Sequence, residues 1–253
     1  MTKARRAEQQ AMREYFATTD CRMAFLANLL DDPSIEPCGI CDNCTGERAD
    51  RELPVELVAE AERFLQRRPI EIASKKQRFD GDTRRKIPEG QRIEDGRALS
   101  IWGDAGWGRL VRSGRQHDGA FDDRLVEAMV ELVRTWSPRP APTWVTSVPS
   151  LRRPRLVEPF ARKVADRLGL DYRPIVAKVD ERPEQITQLN TSHQQHNVAG
   201  AFELTQPPPA GPVLLIDDTT ASGWTLTEVG RLLRSNGAGP VHPVALASSA
   251  GRQ

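Results

Sequence analysis

The 253-residue chain has no ATP-binding motif, almost no excess charge and little aromatic content. No G-x-x-x-x-G-K-[ST] sequence occurs, so the chain lacks the loop and lysine that hold ATP phosphates, and we expect no ATPase motor within it. A formal net charge of +1 gives no global attraction to nucleic acid, so any such binding must come from local patches. A hydrophobic content of 38% with 28% charged residues indicates neither disorder nor a membrane protein.

Cysteine is also scarce, and its four copies are spaced for metal binding. Cys21, Cys38, Cys41 and Cys44 form the pattern C-x16-C-x2-C-x2-C. The short gaps let one turn aim successive thiolates at one ion, while the long gap brings the remaining ligand from another element. A segment of about fifty residues buries little apolar surface. We therefore interpret the cluster as a Zn²⁺ site and expect the loss of any one cysteine to unfold this segment.

Two other interpretations of the cysteines remain open. Iron-sulfur ligation uses similar gaps, but there a further cysteine usually follows closely with a proline, and nothing after Cys44 supplies one. Disulfides would need an oxidising compartment. The opening MTKARRAEQQ is charged and is followed by no apolar signal region, so we expect a cytoplasmic location.

The run MREYFATTDCRMAFLANLLDD, followed by CGICDNC, resembles the zinc-binding segment that follows the motor in RecQ-family DNA helicases. The resemblance covers about Arg5 to Thr45. It implies that Arg13 and Arg22 contact DNA phosphates, with a solvated helix face as the alternative for both. It also implies the C-terminal part of a RecQ-like protein of DNA recombination or repair, whose motor is lost, encoded separately or outside this sequence.

We expect three regions along the chain. Residues 1–50 form the zinc-binding segment, residues 51–120 a basic connector or a reduced winged helix, and residues 121–253 a second domain. The stretch from Lys75 to Arg92 is rich in basic residues, and a mobile charged loop is one interpretation of it. The other is a DNA contact, for which we predict Arg78, Arg84, Arg85 and Lys86.

The second domain has the pattern of an α/β fold. Periodicity predicts helices over 122–136, 156–168 and 225–236, and strands over 143–148, 172–179, 213–216 and 241–247. Strands separated by helices predict a parallel sheet with right-handed crossovers. The expected fold class is thus α/β, with a small helical zinc-binding segment before a parallel-sheet domain.

The stretch VLLIDDTTASGWT, residues 213–225, carries most of the polar chemistry of this domain. Ligands of α/β sheets bind at the carboxyl ends of parallel strands, and a loop of small residues before a helix suits a phosphate. Asp217 and Asp218 would repel a phosphate unless the ligand offers them hydroxyl groups, which favours a sugar phosphate. Thr225 and Glu228 match a capping box, which predicts the N-cap of the helix at Thr225.

This stretch resembles the phosphoribosyl pyrophosphate (PRPP) motif of type I phosphoribosyltransferases. The resemblance implies that Asp217 and Asp218 bind the ribose, and that the 5′-phosphate is bound by Ala221, Ser222, Gly223 and Thr225. It further implies Mg²⁺ held mostly by the substrate phosphates. Thr219 and Thr220 stand where the family often has aliphatic residues. A structural strand-loop-helix that has lost its ligand remains the alternative.

Two further segments resemble parts of these enzymes. Residues 147–150 resemble the short pyrophosphate loop, and residues 188–202 resemble the mobile catalytic loop, most closely in the ComF-like branch. Pyrophosphate contacts by Arg152, Arg153 and Arg155 compete with a simple charged helix start, and His193 and His196 are either proton-transfer groups or solvated spectators. No catalytic residue and no acceptor base can be assigned.

These resemblances favour an accessory DNA-transaction protein without its own motor, with DNA, a separate helicase motor and PRPP as expected partners and no membrane contact. The alternative is a PRPP-binding phosphoribosyltransferase that has retained the zinc segment. A remnant of a longer gene that has neither activity is a third possibility.

Overall fold

The structure is a computed structural model that describes residues 3–32, 36–47, 53–80, 83–179, 195 and 198–249. It divides into an N-terminal unit, Met1–Val58, and a C-terminal unit, Ala59–Gln253. Within the described ranges, no helix has both the length and the apolar character needed to traverse a bilayer.

The N-terminal unit consists of the helices α1 (Lys3–Ala17), α2 (Arg22–Leu29) and α3 (Asp42–Thr45). The side-chain amide of Asn43 donates to the carbonyl oxygens of Thr18 and Asp20, at 2.9 and 2.7 Å, and so ties α3 to the α1–α2 turn. Of the described residues in this unit, only Cys21 is buried. Such a unit has too small a core to hold its own fold, so it must rely on other constraints.

A helix α4 (Val55–Gln66) leads into the C-terminal unit, whose elements follow in chain order. They are β1 (Ile70–Ile72), β2 (Gln77–Asp80), β3 (Thr83–Lys86), β4 (Gly96–Ile101), α5 (Gly108–Ser113), α6 (Asp123–Trp136), β5 (Trp144–Ser147), α7 (Val157–Leu168), β6 (Asp171–Tyr172), β7 (Val176–Lys178), β8 (Phe202–Leu204), β9 (Val213–Thr220), α8 (Trp224–Ser235) and β10 (Val241–Ser248).

The described strands form a six-stranded sheet in the order β1-β4-β10-β9-β5-β6. All neighbouring pairs are parallel except the edge pair β1–β4, which is antiparallel. β2 pairs with β3, and β7 with β8, in separate antiparallel hairpins. The predicted fold class, a helical cysteine-containing segment before a mostly parallel sheet, is confirmed.

The sheet is covered on both faces. In β9, Leu214 and Ile216 pack with buried residues of α6 and α7, whereas Leu215 packs with those of α8. This alternation follows from the two-residue period of a strand, and it explains why β9 reads as a continuous apolar run. The helix of the β5–β6 crossover, α7, and the helix of the β9–β10 crossover, α8, thus lie on opposite faces of the sheet. The direction in which successive strands are added to the sheet therefore changes between these two crossovers.

That change falls between β5 and β9. From β5 the chain crosses through α7 to β6 on one side, whereas β9 lies on the other side of β5 and leads through α8 to β10. In open α/β sheets, the crevice at the carboxyl ends of such a strand pair is the usual ligand site. The strand register shows this crevice. Ser147, the last residue of β5, lies opposite Ile216, so β5 ends there, while β9 continues to Thr220 beside β10.

Three of the differences from the predicted elements concern β9, the strand predicted over 172–179, and β4. β9 runs on through Thr220 rather than ending at residue 216, because Asp217 lies opposite Ala245 of β10 and keeps the ladder going. The strand predicted over 172–179 is split into β6 and β7, with Ile175 N–H donating to the carbonyl of Arg173 between them. β4 was not predicted at all.

β4 and β1 arise from the stretch expected to be a connector, and they extend the sheet beyond β10. Ala98 of β4 lies opposite Ala245 of β10. A Cβ atom added at Gly96 would lie 2.2 Å from the carbonyl oxygen of Pro243, so the strands approach this closely only because residue 96 has no side chain. Residues 70–101 therefore supply two strands of the sheet.

Candidate functional site

The four cysteines converge in the N-terminal unit. The Sγ atoms of Cys21, Cys38, Cys41 and Cys44 all lie within 4.8 Å of one another. Tetrahedral Zn²⁺ with Zn–S bonds of about 2.3 Å requires S···S separations of about 3.8 Å, and the Cys21–Cys41 separation is 4.0 Å. The donor set and its spacing therefore fit zinc, and the same cluster supplies the constraint that the small core of this unit needs.

Backbone N–H groups lower the pKa of two of these four thiols, Cys21 and Cys41. The N–H groups of Cys38 and Ala24 donate to Cys21 Sγ at 3.2 and 3.4 Å, and they lower the pKa of that thiol. The backbone N–H of Arg22 lowers the pKa of Cys41 to about 6. Because thiolates bind metal and thiols do not, both shifts favour metal binding near neutral pH.

The two arginines predicted to contact DNA in this unit lie in different surroundings. Arg22 Nε lies 2.7 Å from Asp42 Oδ1, and its guanidinium also donates to the carbonyl of Tyr15 at 2.7 Å. It thus links α1, α2 and α3 around the cysteine cluster. Arg13 is exposed on α1. A DNA contact by either residue remains a prediction, and Arg22 has a structural role whether or not it makes one.

The sheet brings together the two loops predicted to bind PRPP. β5 delivers residues 147–150 and β9 delivers Asp217 to Gly223 at adjacent carboxyl ends, on the two sides of the crevice. A pocket at the β5 side is lined by residues that include Ser147, Ser150, Arg153 and Tyr172. The Ser147 and Tyr172 hydroxyls lie 2.7 Å apart, so the ends of β5 and β6 are tied together at the pocket.

The acid pair on β9 has a basic partner that the sequence did not predict. Arg115, in a π-helical turn over Gly114–Asp118, places Nε 2.9 Å from Asp218 Oδ2. Its guanidinium also lies over the ring of Trp102, 5.6 Å from the centroid. Both members of the ion pair are largely buried, with side-chain exposures of 18% and 13%. The charge of Asp218 is therefore balanced within the protein.

Asp217 differs from its neighbour because it is buried more deeply. Burial, reinforced by the adjacent Asp218 carboxylate, raises the pKa of Asp217 well above the usual range of a carboxyl group. The raised pKa favours the neutral form of Asp217, while Arg115 offsets the charge of Asp218. Both effects weaken the repulsion that two free carboxylates would exert on a phosphate at the next loop.

That next loop leads directly into α8. Gly223 has a φ of +76°, which side chains disfavour, and it forms the N-cap, so α8 begins at Trp224. The predicted capping box was wrong, because Thr225 lies inside the first turn and Glu228 pairs with Arg231 at 3.0 Å. Ala221, Ser222, Gly223 and Thr225 nonetheless stand together at the N-terminal end of α8, where the helix dipole favours an anion.

The predicted basic DNA contact is a hairpin. Arg78, Arg84, Arg85 and Lys86 all lie on β2 and β3, and Arg78 is directly opposite Arg85. Like charges in directly opposed positions disfavour strand pairing. On the other face of the hairpin, the Arg84 guanidinium lies 5.2 Å from the centroid of the Phe79 ring.

Most of the predicted catalytic loop, including His193 and His196, lies outside the described residues. Gln195 is described, is 3% exposed and contacts the hairpin. Three contacts were missed from sequence: the hydrogen bonds of Gln195 to the Phe79 backbone, the Arg115–Asp218 pair, and the approach of Lys75 Cε to 3.8 Å from a Cβ added at Gly223. Each joins residues far apart in the chain, and only the basic character of the stretch around Lys75 gave any signal.

Comparison with known proteins gives a match at the N-terminal end. Residues 1–45 match the family model described as RecQ zinc-binding. No curated protein matches the sequence. The RecQ prediction for this segment is therefore confirmed.

Similar solved structures include two phosphoribosyltransferases. One is a purine phosphoribosyltransferase from Pyrococcus horikoshii, at 20% identity and a TM-score of 0.31, covering 50% of this chain and 71% of that one. The other is an adenine phosphoribosyltransferase from Leishmania tarentolae, at 16% identity and a TM-score of 0.33, covering 69% of this chain and 84% of that one.

Proposed function

We propose that the chain is an accessory or C-terminal part of a RecQ-type DNA helicase system, and that it acts in recombination or repair by binding DNA. The observation that carries this proposal is the RecQ zinc-binding match over residues 1–45, together with four sulfurs arranged for one zinc ion. The 253 residues contain no P-loop, so ATP-driven unwinding requires a motor outside them.

The basic hairpin supports DNA binding by the C-terminal unit. Three of its four predicted contacts, Arg84, Arg85 and Lys86, are exposed. The facing pair Arg78 and Arg85 concentrates positive charge on one face. Arginine and lysine side chains commonly contact nucleic-acid phosphates, so this exposed row of cations suits a nucleic-acid backbone.

DNA binding is tested by measuring the affinity of the zinc-loaded protein for single- and double-stranded oligonucleotides at several salt concentrations. Changing all four hairpin residues, Arg78, Arg84, Arg85 and Lys86, to Gln should weaken binding and reduce the slope of log K against log salt by about 3. The control changes Arg124, Arg162, Lys163 and Arg167 to Gln, because these exposed residues are each paired with an acid. Equal slopes in the two variants would contradict the proposal for the hairpin.

The second candidate function is that of a PRPP-binding phosphoribosyltransferase. The observation that favours it is the position of Asp217 and Asp218, with Ala221, Ser222, Gly223 and Thr225 just beyond them, at the crevice between β5 and β9. Magnesium would be held mostly by the phosphates of the ligand, and the protein residues would orient the sugar and its phosphate. Pyrophosphate would leave as an acceptor attacks the ribose, a step that positioning and charge stabilisation accelerate.

PRPP binding is tested by calorimetric titration of the zinc-loaded protein with PRPP and Mg²⁺. The double variant Asp217→Asn, Asp218→Asn should lose the binding, because it removes the Asp218 carboxylate with its Arg115 pairing and replaces both acids predicted to contact the ribose hydroxyls. Binding with no pyrophosphate release in the presence of nucleobases would indicate a ligand-regulated accessory protein. No binding by the parent protein would leave the C-terminal unit a scaffold and would overturn the second candidate.

A further inference from the structure

Lys75 lies in the connection between β1 and β2, yet its side chain reaches the loop that precedes α8. A Cβ atom placed at Gly223 would lie 3.8 Å from Lys75 Cε. Lys75 Nζ lies 4.8 Å from the centroid of the Trp224 ring, and Trp224 is the first residue of α8. The ammonium group is thus held beside the turn where the loop becomes a helix.

The ammonium of Lys75 is half-buried, and its burial lowers its pKa. Within the described ranges, no carboxylate forms an ion pair with it, and the Trp224 ring is its partner. The Trp224 indole Nε1 is also buried and has no hydrogen-bond partner among those residues. The Lys75 ammonium, a charged hydrogen-bond donor, therefore lies beside the loop of small residues at Gly223.

We propose that Lys75 binds the 5′-phosphate of a sugar phosphate held by Ala221, Ser222, Gly223 and Thr225. The proposal rests on the PRPP-binding function proposed above and assigns one further residue to it. A phosphate at the N-terminal end of α8 supplies a counter-charge for the half-buried Lys75 ammonium. As a charged donor, Lys75 adds to the hydrogen bonds that the loop makes to the phosphate. Ribose phosphate recognition then uses acids from β9, amides from the loop and a cation from the β1–β2 connection.

The test uses three ligands to separate the parts of the site. The zinc-loaded, full 253-residue protein is titrated calorimetrically, in the presence of Mg²⁺, with ribose 5-phosphate, with PRPP and with pyrophosphate. Lys75→Met keeps an aliphatic side chain against Trp224 but removes the charge. It should weaken ribose 5-phosphate and PRPP by the same factor, roughly tenfold or more, and leave pyrophosphate binding unchanged.

Two control variants separate a specific phosphate contact from a general loss of charge. Lys75→Arg keeps the cation and should retain most of the affinity. Lys76→Met removes the charge of the exposed neighbouring lysine and should bind all three ligands like the parent. If Lys75→Met loses its cooperative unfolding transition, Lys75→Gln provides the same comparison with a side chain that tolerates water.

The outcomes distinguish failure of the proposed PRPP site from failure of the phosphate contact by Lys75. A parent protein that binds neither ribose 5-phosphate nor PRPP overturns the proposed site, and the role of Lys75 with it. A parent that binds both, alongside a Lys75→Met variant of equal affinity, overturns the role of Lys75 alone. Equal weakening by Lys75→Met and Lys76→Met would show that only the loss of one positive charge matters, and it would also overturn the role of Lys75.

Discussion

The side-chain amide of Gln195 pairs with both backbone polar groups of Phe79. Its Oε1 accepts from the Phe79 N–H at 2.5 Å, and its Nε2 donates to the Phe79 carbonyl at 2.7 Å. Gln195 thus bonds to β2 as a neighbouring strand would, while it belongs to the segment predicted to be the catalytic loop. The basic hairpin and that segment are therefore joined by one buried side chain.

Gln195→Ala should lower the free energy of unfolding by about 1 to 3 kcal/mol, because it leaves the Phe79 N–H and carbonyl without their partner. Urea unfolding measures the change, and the m-value should stay constant. Gln77→Ala is the matched control, since Gln77 is an exposed glutamine on the same strand and should change stability by less than about 0.5 kcal/mol. Similar losses in both variants would contradict a specific role for the Gln195 contact.

Cys44→Ser should abolish zinc binding and unfold the N-terminal unit, because Cys21 is the one buried side chain among the residues that the structure describes there. Structural zinc in small domains contributes apparent binding free energies of about 10 to 16 kcal/mol, far more than one small unit can supply otherwise. Zinc content and limited proteolysis are the measurements: residues 1–58 should become susceptible while the sheet persists. Thr45→Ser, at the adjacent position, should keep both the metal and the protease resistance.

Asp217→Asn should stabilise the protein increasingly as pH rises. The raised pKa of Asp217 means that the folded protein keeps a proton that the unfolded chain releases above about pH 4. Its contribution to stability is therefore full below that pH and is lost as pH rises toward the folded pKa. Asparagine resembles the protonated acid at every pH, so the difference in unfolding free energy from the parent should grow as pH rises from about 4 toward the folded pKa of Asp217. The same change at the exposed Asp166 should produce no such trend.

Arg115→Met should destabilise the protein by about 3 kcal/mol or more at neutral pH, because it leaves the largely buried Asp218 without its cation. The exposed Arg112 supplies the control variant Arg112→Met. Adding Asp218→Asn to Arg115→Met should recover part of the loss, since the buried charge is then gone. A double-mutant cycle by urea unfolding measures this coupling, and additive effects would show that the ion pair contributes nothing to stability.

The sequence predicted those features that depend on local pattern. The helix predicted over 122–136 is α6, and the cysteine spacing predicted a cluster that the structure brings together. β4 was missed because Gly96 and Arg97 interrupt its apolar pattern, and its place in the sheet depends on contact with Pro243. Asp217 and Asp218 were predicted to lie beyond the strand, although pairing with β10 keeps them within it.

In the candidate site, too, features set by local sequence could be predicted, and features set by contacts between distant residues could not. The acids and the small-residue loop lie in one continuous stretch and could be recognised from their order. Arg115 and Lys75 reach that stretch from elements distant in sequence, and nothing in the composition around them specifies which side chain turns inward. Contacts of this kind depend on the complete sheet, so local sequence patterns carry little information about them.

Cys21 has two roles in one atom, because its Sγ belongs to the metal cluster and also accepts the Ala24 N–H at 3.4 Å to cap α2. One sulfur atom therefore both caps the N-terminus of α2 and belongs to the metal-binding cluster. Oxidation or alkylation of that sulfur would remove the helix cap along with the ligand. A change in helical circular dichroism would then accompany chemical modification of the cluster, without any probe attached to the protein.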